Sequence, residues 1–331
     1  YGNGGDKPTV TDASLVLGYL DPEFFLGGSM ELDLDAARVA IERDVATPMR
    51  IGLEDAAAAI VAIATENMVQ AIVDITVNQG IDPRDAVLIG GGGAAGLNST
   101  AIARRLGSER VVIPEVGAAL SAAGAMMSDL HSQYTRTFFA TSEDFDADGV
   151  NAILDQLEAR CNAFIDGPGQ GSIDQTIEFF AEARYPEQVW EIEVPLAGRR
   201  FESDGDLQAL IEEFHKVHED IFAINDPGSG IEVVGWTASV KCQIKDSESG
   251  SLVDSNTEAL VDGTRKVYFA ETGYVDAKVR RFEAMTAGEE LPGPAIIESP
   301  FTTVVVDPGA TAERRGSGSV SIVPGAPRAA R

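Results

Sequence analysis

Between residues 54 and 79, apolar side chains recur at three- and four-residue spacing, and this pattern predicts a long amphipathic helix. Glu54 and Asp55 lie in its first turn, where the helix dipole favours acidic side chains, and Gly80 is typical of the position that follows a helix. Since several apolar positions are alanine, we expect close packing against another helix or a sheet. The recurring positions are Ile60, Ile63, Ala64, Met68, Ala71, Ile72 and Ile75.

Two short apolar runs in the same region predict buried strands. Residues 86–89 follow a turn and precede a run of glycines, and residues 111–113 end at Pro114. Shorter helices are expected before and after these elements, each starting at a side chain that can accept hydrogen bonds from free backbone N–H groups. The expected N-caps are Thr11 or Asp12, Asp33 or Asp35, and Asn98 or Ser99.

Near residue 132 the pattern changes from mixed helix and strand to mostly strand. Two helices, at about 148–163 and 205–221, interrupt the strand-like segments that follow. We therefore predict two domains: an α/β lobe over residues 1–132, and an α+β, strand-rich domain over residues 133–331.

The glycine run between the predicted strand and helix allows three interpretations. Its glycines are Gly90, Gly91, Gly92, Gly93 and Gly96. Strand, glycine loop and helix together can bind an anion or a nucleotide, because backbone N–H groups come close to the ligand. The glycines could instead only allow a close strand–helix crossing. The run also fits G-x-G-x-x-G with Glu115 after the next strand, which would suit a dinucleotide, but two parallel strands are too few for a doubly wound sheet.

The composition argues against several further classes of binding partner and site. The 331 residues include 53 acidic and 25 basic side chains, a net charge of −28, which argues against nucleic-acid and membrane partners. We see no apolar run of the ~18 residues that a membrane span needs. The two cysteines show no metal-binding spacing and suit a reducing cytoplasm. A phosphate-binding Gly-Lys-Ser/Thr and a Gly-x-Ser-x-Gly are both absent.

Several motifs in a consistent order resemble the ATP-dependent hydantoinase/oxoprolinase A-type subunits. The resemblance extends from the first residues to about residue 325. The matching segments are residues 8–13, 15–18, 20–22, 25–28, 77–85, 90–96, 121–124, 128–129 and 293–298.

This resemblance implies an α/β lobe of the sugar kinase/heat-shock-70/actin type, with ATP held in a cleft between two lobes. The glycine run matches the motif that holds adenosine in that superfamily. The family's first phosphate motif, Asp-x-Gly-Gly-Thr-x-Thr-Asp, is absent. We therefore expect this chain to be the C-terminal half of a longer subunit and inactive on its own. The expected partners are the N-terminal half and a B-type subunit, in a hetero-oligomer.

One departure from the family pattern bears on the substrate. Hydantoinase and oxoprolinase members usually read Gly-Pro-Leu-His where this chain reads Gly-Leu-Asn, ending at Asn98. That form is more similar to acetone and acetophenone carboxylase subunits. The resemblance then implies that a ketone enolate is phosphorylated by ATP and carboxylated with a partner subunit. Hydrolysis of a cyclic amide, a non-catalytic assembly module and a dinucleotide-binding domain remain alternatives.

The expected catalytic residues are Asp12 and Asn98. Phosphoryl transfer requires neutralisation of the triphosphate, so a chain this acidic is expected to use Mg²⁺ or Mn²⁺. Asp12 is the candidate ligand because it lies in the best-matched motif, and capping of its helix is the alternative role. The strand-rich domain is expected to serve subunit docking.

Overall fold

The computed structural model describes residues 4–244 and 263–325, and it divides the chain into two compact units. Of the described residues, 4–125 and 263–325 form the first unit, and 126–244 form the second. The second unit is therefore an insertion into the first. This division differs from the predicted one: the first cut lies close to residue 132, but the C-terminal strands belong with the N-terminal lobe.

The physical reason for this difference is the pairing of the two short parallel strands predicted in the first lobe. Such a pair is too small to stand alone. Val320 and Ile322 of a C-terminal strand align antiparallel with Ile113 and Val111 and extend the sheet. A pairing across about 200 residues has no signal in the local sequence pattern.

The first unit contains most of the regular structure. Its helices are α1 (Val10–Val16), α2 (Leu34–Ile41), α3 (Thr47–Met49), α4 (Leu53–Asn78), α5 (Ser99–Leu106) and α6 (Leu120–Met127), which reaches the boundary. Its strands are β1 (Leu88–Ile89), β2 (Val111–Ile113), β7 (Gly263–Phe269), β8 (Gly273–Arg281), β9 (Glu290–Pro292), β10 (Ala295–Glu298), β11 (Thr303–Val306), β12 (Thr311–Arg314) and β13 (Val320–Val323).

These strands form two sheets that pack face to face beneath a helical layer. One sheet has the order β1-β2-β13-β12-β9 and the other β11-β10-β8-β7. Alternate residues of a strand point to opposite faces. Ala295 and Ile297 of β10 accordingly pack towards the five-stranded sheet, whereas Ile296 packs beneath α1, α2 and α4. Such doubly buried strands explain the continuous apolar runs in this part of the sequence.

The first helices show which predicted N-caps form. Asp33 caps α2 through a 2.9 Å bond from the Ala36 N–H, as expected. The predicted cap of α1 at Thr11 or Asp12 is wrong. Thr9 is the N-cap, and Asp12 completes a capping box by accepting the Thr9 N–H at 2.8 Å. A Thr followed three residues later by an acid is the signature of this motif.

The long helix α4 forms as predicted, within one residue at each end. Its N-terminal alanines, Ala56 and Ala57, are fully buried. Further along, most of the apolar stripe is exposed, and 22% of the most apolar stretch is buried. By length and composition alone, α4 is long and apolar enough to cross a membrane, contrary to our expectation that the chain has no such segment.

The second unit is an antiparallel sheet of order β3-β6-β4-β5 with two helices. Its elements are β3 (Leu130–Thr141), α7 (Ala147–Asp166), β4 (Asp174–Arg184), β5 (Ile192–Pro195), α8 (Asp204–Phe222) and β6 (Glu232–Gln243). Trp236 of the central strand β6 is fully buried, and its Nε1 donates to the Phe138 carbonyl at 3.0 Å. Phe214 of α8 and Leu154 of α7 share this core.

Candidate functional site

The glycine loop connects β1 to the turn before α5, and its two end glycines serve packing. Gly90 and Gly96 are buried. A Cβ on Gly96 would lie 2.8 Å from Val304 Cγ2 and 2.9 Å from Val304 Cα, and still closer to the Thr303 carbonyl oxygen. A Cβ on Gly90 would overlap the Ile113 side chain. At these two positions the close-crossing interpretation is right.

The middle of the loop, unlike its two ends, is largely exposed to solvent. Gly91, Gly93 and Ala94 are exposed. Gly92 takes a φ of +117°, which strongly favours glycine, and its N–H donates to the Gly117 carbonyl at 2.7 Å. Within residues 4–244 and 263–325, the N–H groups of Gly91, Gly93 and Ala94 meet no acceptor. Three exposed backbone donors in a short loop can bind an anion or the polar atoms of a nucleotide.

Two of these residues, Gly93 and Ala94, border a cavity of about 210 Å³, here called the glycine-loop cavity. Gly93 and Ala94 form one wall, Thr11 and the segment after α1 form another, and residues 298–303 between β10 and β11 close it. The Thr302 hydroxyl donates to the Gly93 carbonyl at 3.0 Å and so fixes the loop against this turn. The cavity thus brings together three segments that lie far apart in the sequence.

A buried charge network lies beneath the glycine-loop cavity. Glu298 is 1% exposed, and its two carboxylate oxygens lie 2.7 Å from Arg265 Nη1 and 2.8 Å from Arg281 Nη1. Arg265 also bonds Asp21 at 2.8 Å. Two arginines and two carboxylates leave no net positive charge. A triphosphate held here would therefore need its charge balanced by groups outside this network.

A second cavity, of about 500 Å³, is lined mainly by α4, α5 and residues 269–271 and is called the Asn98 cavity. Leu97 lines both cavities. Asn98 stands at the N-cap position of α5, but its side chain makes no cap bond, contrary to expectation. Its Nδ2 instead donates to Thr65 Oγ1 of α4 at 3.3 Å. This leaves the Asn98 side chain at a cavity wall, where it can contact a ligand.

The charged side chains that line the Asn98 cavity are mostly paired with one another. Arg104 pairs with Asp307 at 3.0 Å, and Arg105 pairs with Glu66. Burial, with Asp307 and Glu271 adding to it, raises the pKa of Tyr19, so that its hydroxyl stays protonated at neutral pH. The cavity wall therefore presents neutral polar groups and balanced ion pairs.

The second predicted site residue, Asp12, lies beside the glycine-loop cavity rather than in its wall. Its neighbour Thr11 lines that cavity. One oxygen of Asp12 is already held by the Thr9 N–H and by the Thr9 hydroxyl at 2.6 Å. Within the described part of the chain, no group of three His, Cys, Asp or Glu side chains is placed to hold a metal ion. The described residues therefore do not form a metal site around Asp12, and its proposed role stays a prediction.

Glu115, the acid that a dinucleotide-binding interpretation requires, has another function. Its carboxylate bonds the buried Arg314 at 3.0 Å and packs against Gly318. The sheet around it is also mixed, because β13 runs antiparallel to β2. The described strands thus do not form the doubly wound sheet that this alternative needs.

Sequence reasoning missed the cavity residues that come from the C-terminal strands. The sequence predicts Glu298 only as part of a family motif, and it does not predict roles for Thr302 or for Arg265 in the network beneath the cavity. No local pattern marks Thr302 and Arg265, because the bond from Thr302 to Gly93 and the bond from Arg265 to Asp21 each span more than 200 residues.

Both parts of the chain match one family. Residues 1–134 match the family model described as "Hydantoinase/oxoprolinase", and residues 141–314 match "Hydantoinase/oxoprolinase C-terminal domain". The chain is 35% identical, over 98% of its length, to the caprolactamase subunit alpha of Pseudomonas jessenii, covering 47% of that protein. It is 30% identical to the acetophenone carboxylase gamma subunit of Aromatoleum aromaticum, over 93% of this chain and 43% of that protein.

Solved structures confirm the predicted fold class. The ATP-dependent caprolactamase from Pseudomonas jessenii superimposes with a TM-score of 0.76 at 33% identity, over 98% of this chain and 48% of that one. An acetone carboxylase structure gives the same TM-score at 24% identity, over 97% of this chain and 47% of that one. The chain spans about half the length of these relatives. Together, the two family matches and the shared fold show that this chain belongs to the hydantoinase/oxoprolinase family.

Proposed function

We propose that this chain is part of an enzyme subunit that uses ATP to phosphorylate a carbonyl oxygen, and that the exposed glycine loop holds the nucleotide. The observation that carries the proposal is the row of unused N–H donors on Gly91, Gly93 and Ala94, beside a cavity, in a chain of this family. The related caprolactamase from Pseudomonas jessenii is an ATP-dependent enzyme, which supports the choice of nucleotide.

The geometry suits the adenosine end of ATP better than its phosphates. The loop offers hydrogen-bond donors, but the nearby arginines are neutralised by Glu298 and Asp21. The net charge of −28 makes a divalent cation necessary at the triphosphate. We propose Mg²⁺ or Mn²⁺ there, bound by phosphate oxygens, water and groups outside the described residues.

For the substrate, we propose a ketone whose enolate oxygen accepts the phosphoryl group before carboxylation. Asn98 supports this choice, since it replaces the His of the lactam-hydrolysing pattern and lies at a cavity wall. Hydrolysis of a cyclic amide is the second candidate, because the caprolactamase subunit is 35% identical over nearly the whole chain. Both reactions begin with the same phosphorylation of a carbonyl oxygen.

The active assembly is proposed to be larger than this chain. We propose that it contains the half of the subunit that relatives possess in addition, and a B-type partner subunit docked on the second unit. Among described residues both cysteines are free and buried, which supports a cytoplasmic location. Alone, the chain is expected not to hydrolyse ATP, because the family's first phosphate motif is absent.

The test is ATP consumption by the complete enzyme with bicarbonate and a divalent cation. Acetone or acetophenone is compared with hydantoin, 5-oxoproline and caprolactam. Stimulation by a ketone supports the carboxylase assignment, and stimulation by a cyclic amide supports the second candidate. Nucleotide consumption that no carbonyl compound stimulates would contradict both.

A further inference from the structure

Two exposed N–H groups of the glycine loop are aimed by the hydrogen bonds that their own peptide units accept. In a trans peptide unit, the C=O and the following N–H point in opposite directions. The Gly92 carbonyl accepts the Ala95 N–H at 3.2 Å, which directs the Gly93 N–H the other way. The Gly93 carbonyl accepts the Thr302 hydroxyl at 3.0 Å, which does the same for the Ala94 N–H.

The two bonds differ in how far they reach along the chain. Ala95 lies three residues after Gly92, so their bond belongs to a local turn. Thr302 lies 209 residues after Gly93, in the turn between β10 and β11. The direction of the Ala94 N–H therefore depends on where a distant pair of strands places the Thr302 hydroxyl.

Thr302 is itself held tightly in place. Its N–H donates to Ser299 Oγ at 3.1 Å, and its carbonyl accepts the Ser299 N–H at 2.8 Å. Thr302 is 9% exposed, which leaves its side chain little freedom. Ser299 directly follows Glu298, whose carboxylate is bound by Arg265 and Arg281. The buried charge network thus anchors the turn that carries Thr302.

The same two arginines also hold another wall of the glycine-loop cavity. Arg265 bonds Asp21 at 2.8 Å, and the Arg281 guanidinium carbon lies 3.4 Å from the centre of the Phe24 ring. Asp21 and Phe24 both line the cavity. Through Glu298, the network therefore fixes the turn that holds the loop and the segment after α1 relative to one another.

We propose that Thr302 is a positioning residue for nucleotide binding, whose hydroxyl holds the Gly93 peptide so that the Ala94 N–H faces the ligand. Glu298 and its two arginines act one step further away, by holding the turn that carries Thr302. The proposal rests on the proposed function, in which this loop holds the nucleotide. Thr302 acts through Gly93.

The chain offers a matched residue that separates positioning from simple stabilisation. The Thr100 hydroxyl donates to the Val305 carbonyl at 2.8 Å, across 205 residues, and joins α5 to β11 rather than to the glycine loop. Thr302→Val and Thr100→Val each remove one such hydroxyl from a buried threonine and leave a side chain of nearly the same size.

The experiment measures equilibrium binding of Mg-ATP to the complete subunit. Thr302→Val should weaken it about fivefold or more, because a loop that is no longer held must be ordered when the ligand binds. Thr100→Val should leave the affinity unchanged but lower the melting temperature more, because it strands a carbonyl of the buried Val305, whereas Gly93 is exposed. Thr302→Ser keeps the hydroxyl and should bind Mg-ATP as the parent subunit does.

A second readout needs no nucleotide. In the chain alone, the heteronuclear NOE of the Gly93 and Ala94 amides should fall in Thr302→Val and stay unchanged in Thr100→Val. Unchanged loop order in Thr302→Val, or equal loss of Mg-ATP affinity in both valine variants, would overturn the proposal.

The substitution Ala94→Glu, which adds a charge to the loop itself, separates this proposal from the one on which it rests. Weaker Mg-ATP binding in Ala94→Glu together with unchanged binding in Thr302→Val would refute the positioning role alone. Unchanged binding in both variants would refute the nucleotide site as well.

Discussion

Replacement of Gly96 by alanine tests how the glycine loop is held. The new Cβ would lie 2.8 and 2.9 Å from two atoms of Val304, closer than real Cβ contacts come, and would press on the Thr303 carbonyl. Two of these three atoms belong to the backbone of β11, which cannot rotate away as a side chain can. Overpacking of this kind costs about 1–3 kcal/mol. For a unit of about 200 residues, that lowers the melting temperature by roughly 2–12 °C.

The two units allow this loss to be located. Both tryptophans of the sequence, Trp190 and Trp236, lie in the second unit, so tryptophan fluorescence follows that unit alone. Far-UV circular dichroism follows both. Each unit also has its own core. We therefore expect Gly96→Ala to lower the midpoint of a circular dichroism transition and to leave the tryptophan transition unchanged.

Gly124→Ala is the control for this substitution. Gly124 lies in α6, where a Cβ would meet no atom within 4 Å. The same change there should stabilise the first unit by about 0.5–1 kcal/mol. Unfolding midpoints for Gly96→Ala equal to those of the parent chain would refute the close packing of the loop against β11, and with it the placement of the glycine-loop cavity.

Four further predictions concern the two units. Glu298→Ala leaves Arg281 without its carboxylate partner and Arg265 with Asp21 alone, and should destabilise the first unit by about 3–5 kcal/mol in urea titrations; an unchanged midpoint would contradict the buried network. Asn98→Ala removes two long hydrogen bonds, to Thr65 Oγ1 and Met68 Sδ, and should cost at most about 1 kcal/mol, yet lower carbonyl-stimulated ATP consumption by about tenfold or more; equal turnover would remove Asn98 from the site. Cys161 and Cys242 should resist an aromatic disulfide reagent at pH 8 until urea is added, because burial raises the pKa of Cys161 to about 11; reaction in the native chain would contradict this. Burial lowers the pKa of His215, because the folded chain disfavours the charged imidazole. The neutral side chain therefore contributes fully to the stability of the second unit above pH ~6.5, and this contribution is lost as the pH falls. We expect the unfolding midpoint from tryptophan fluorescence to be lower at pH 5.5 than at pH 7.5, and this difference to be smaller in His215→Phe.

Local signals in the sequence predict individual elements well. The apolar spacing of α4 places both helix ends within one residue, and Asp33 caps α2 as predicted. The cap of α1 could also have been found, because Thr9 and Asp12 have the spacing of a capping box. In each case the decisive contacts join residues within one or two helical turns.

Contacts between distant segments have no such signal. The pairing of β13 with β2 and the bond from Thr302 to Gly93 each join residues about 200 positions apart. The apolar spacing of α4 identifies a helix with an apolar side, but it does not reveal what covers that side. The glycine loop illustrates both cases: its position was predictable, whereas the roles of Gly90 and Gly96 depend on Ile113 and β11.

The most direct test of the central claim is ATP binding by the complete subunit with a substitution in the glycine loop. Ala94→Glu adds a bulky negative charge to the exposed face of the loop, and Ala36→Glu makes the same change at an exposed position in the first turn of α2. Equilibrium binding of Mg-ATP should weaken about tenfold or more for Ala94→Glu and stay unchanged for Ala36→Glu. Unchanged affinity in the folded Ala94→Glu subunit would contradict the assignment of this loop as the nucleotide site.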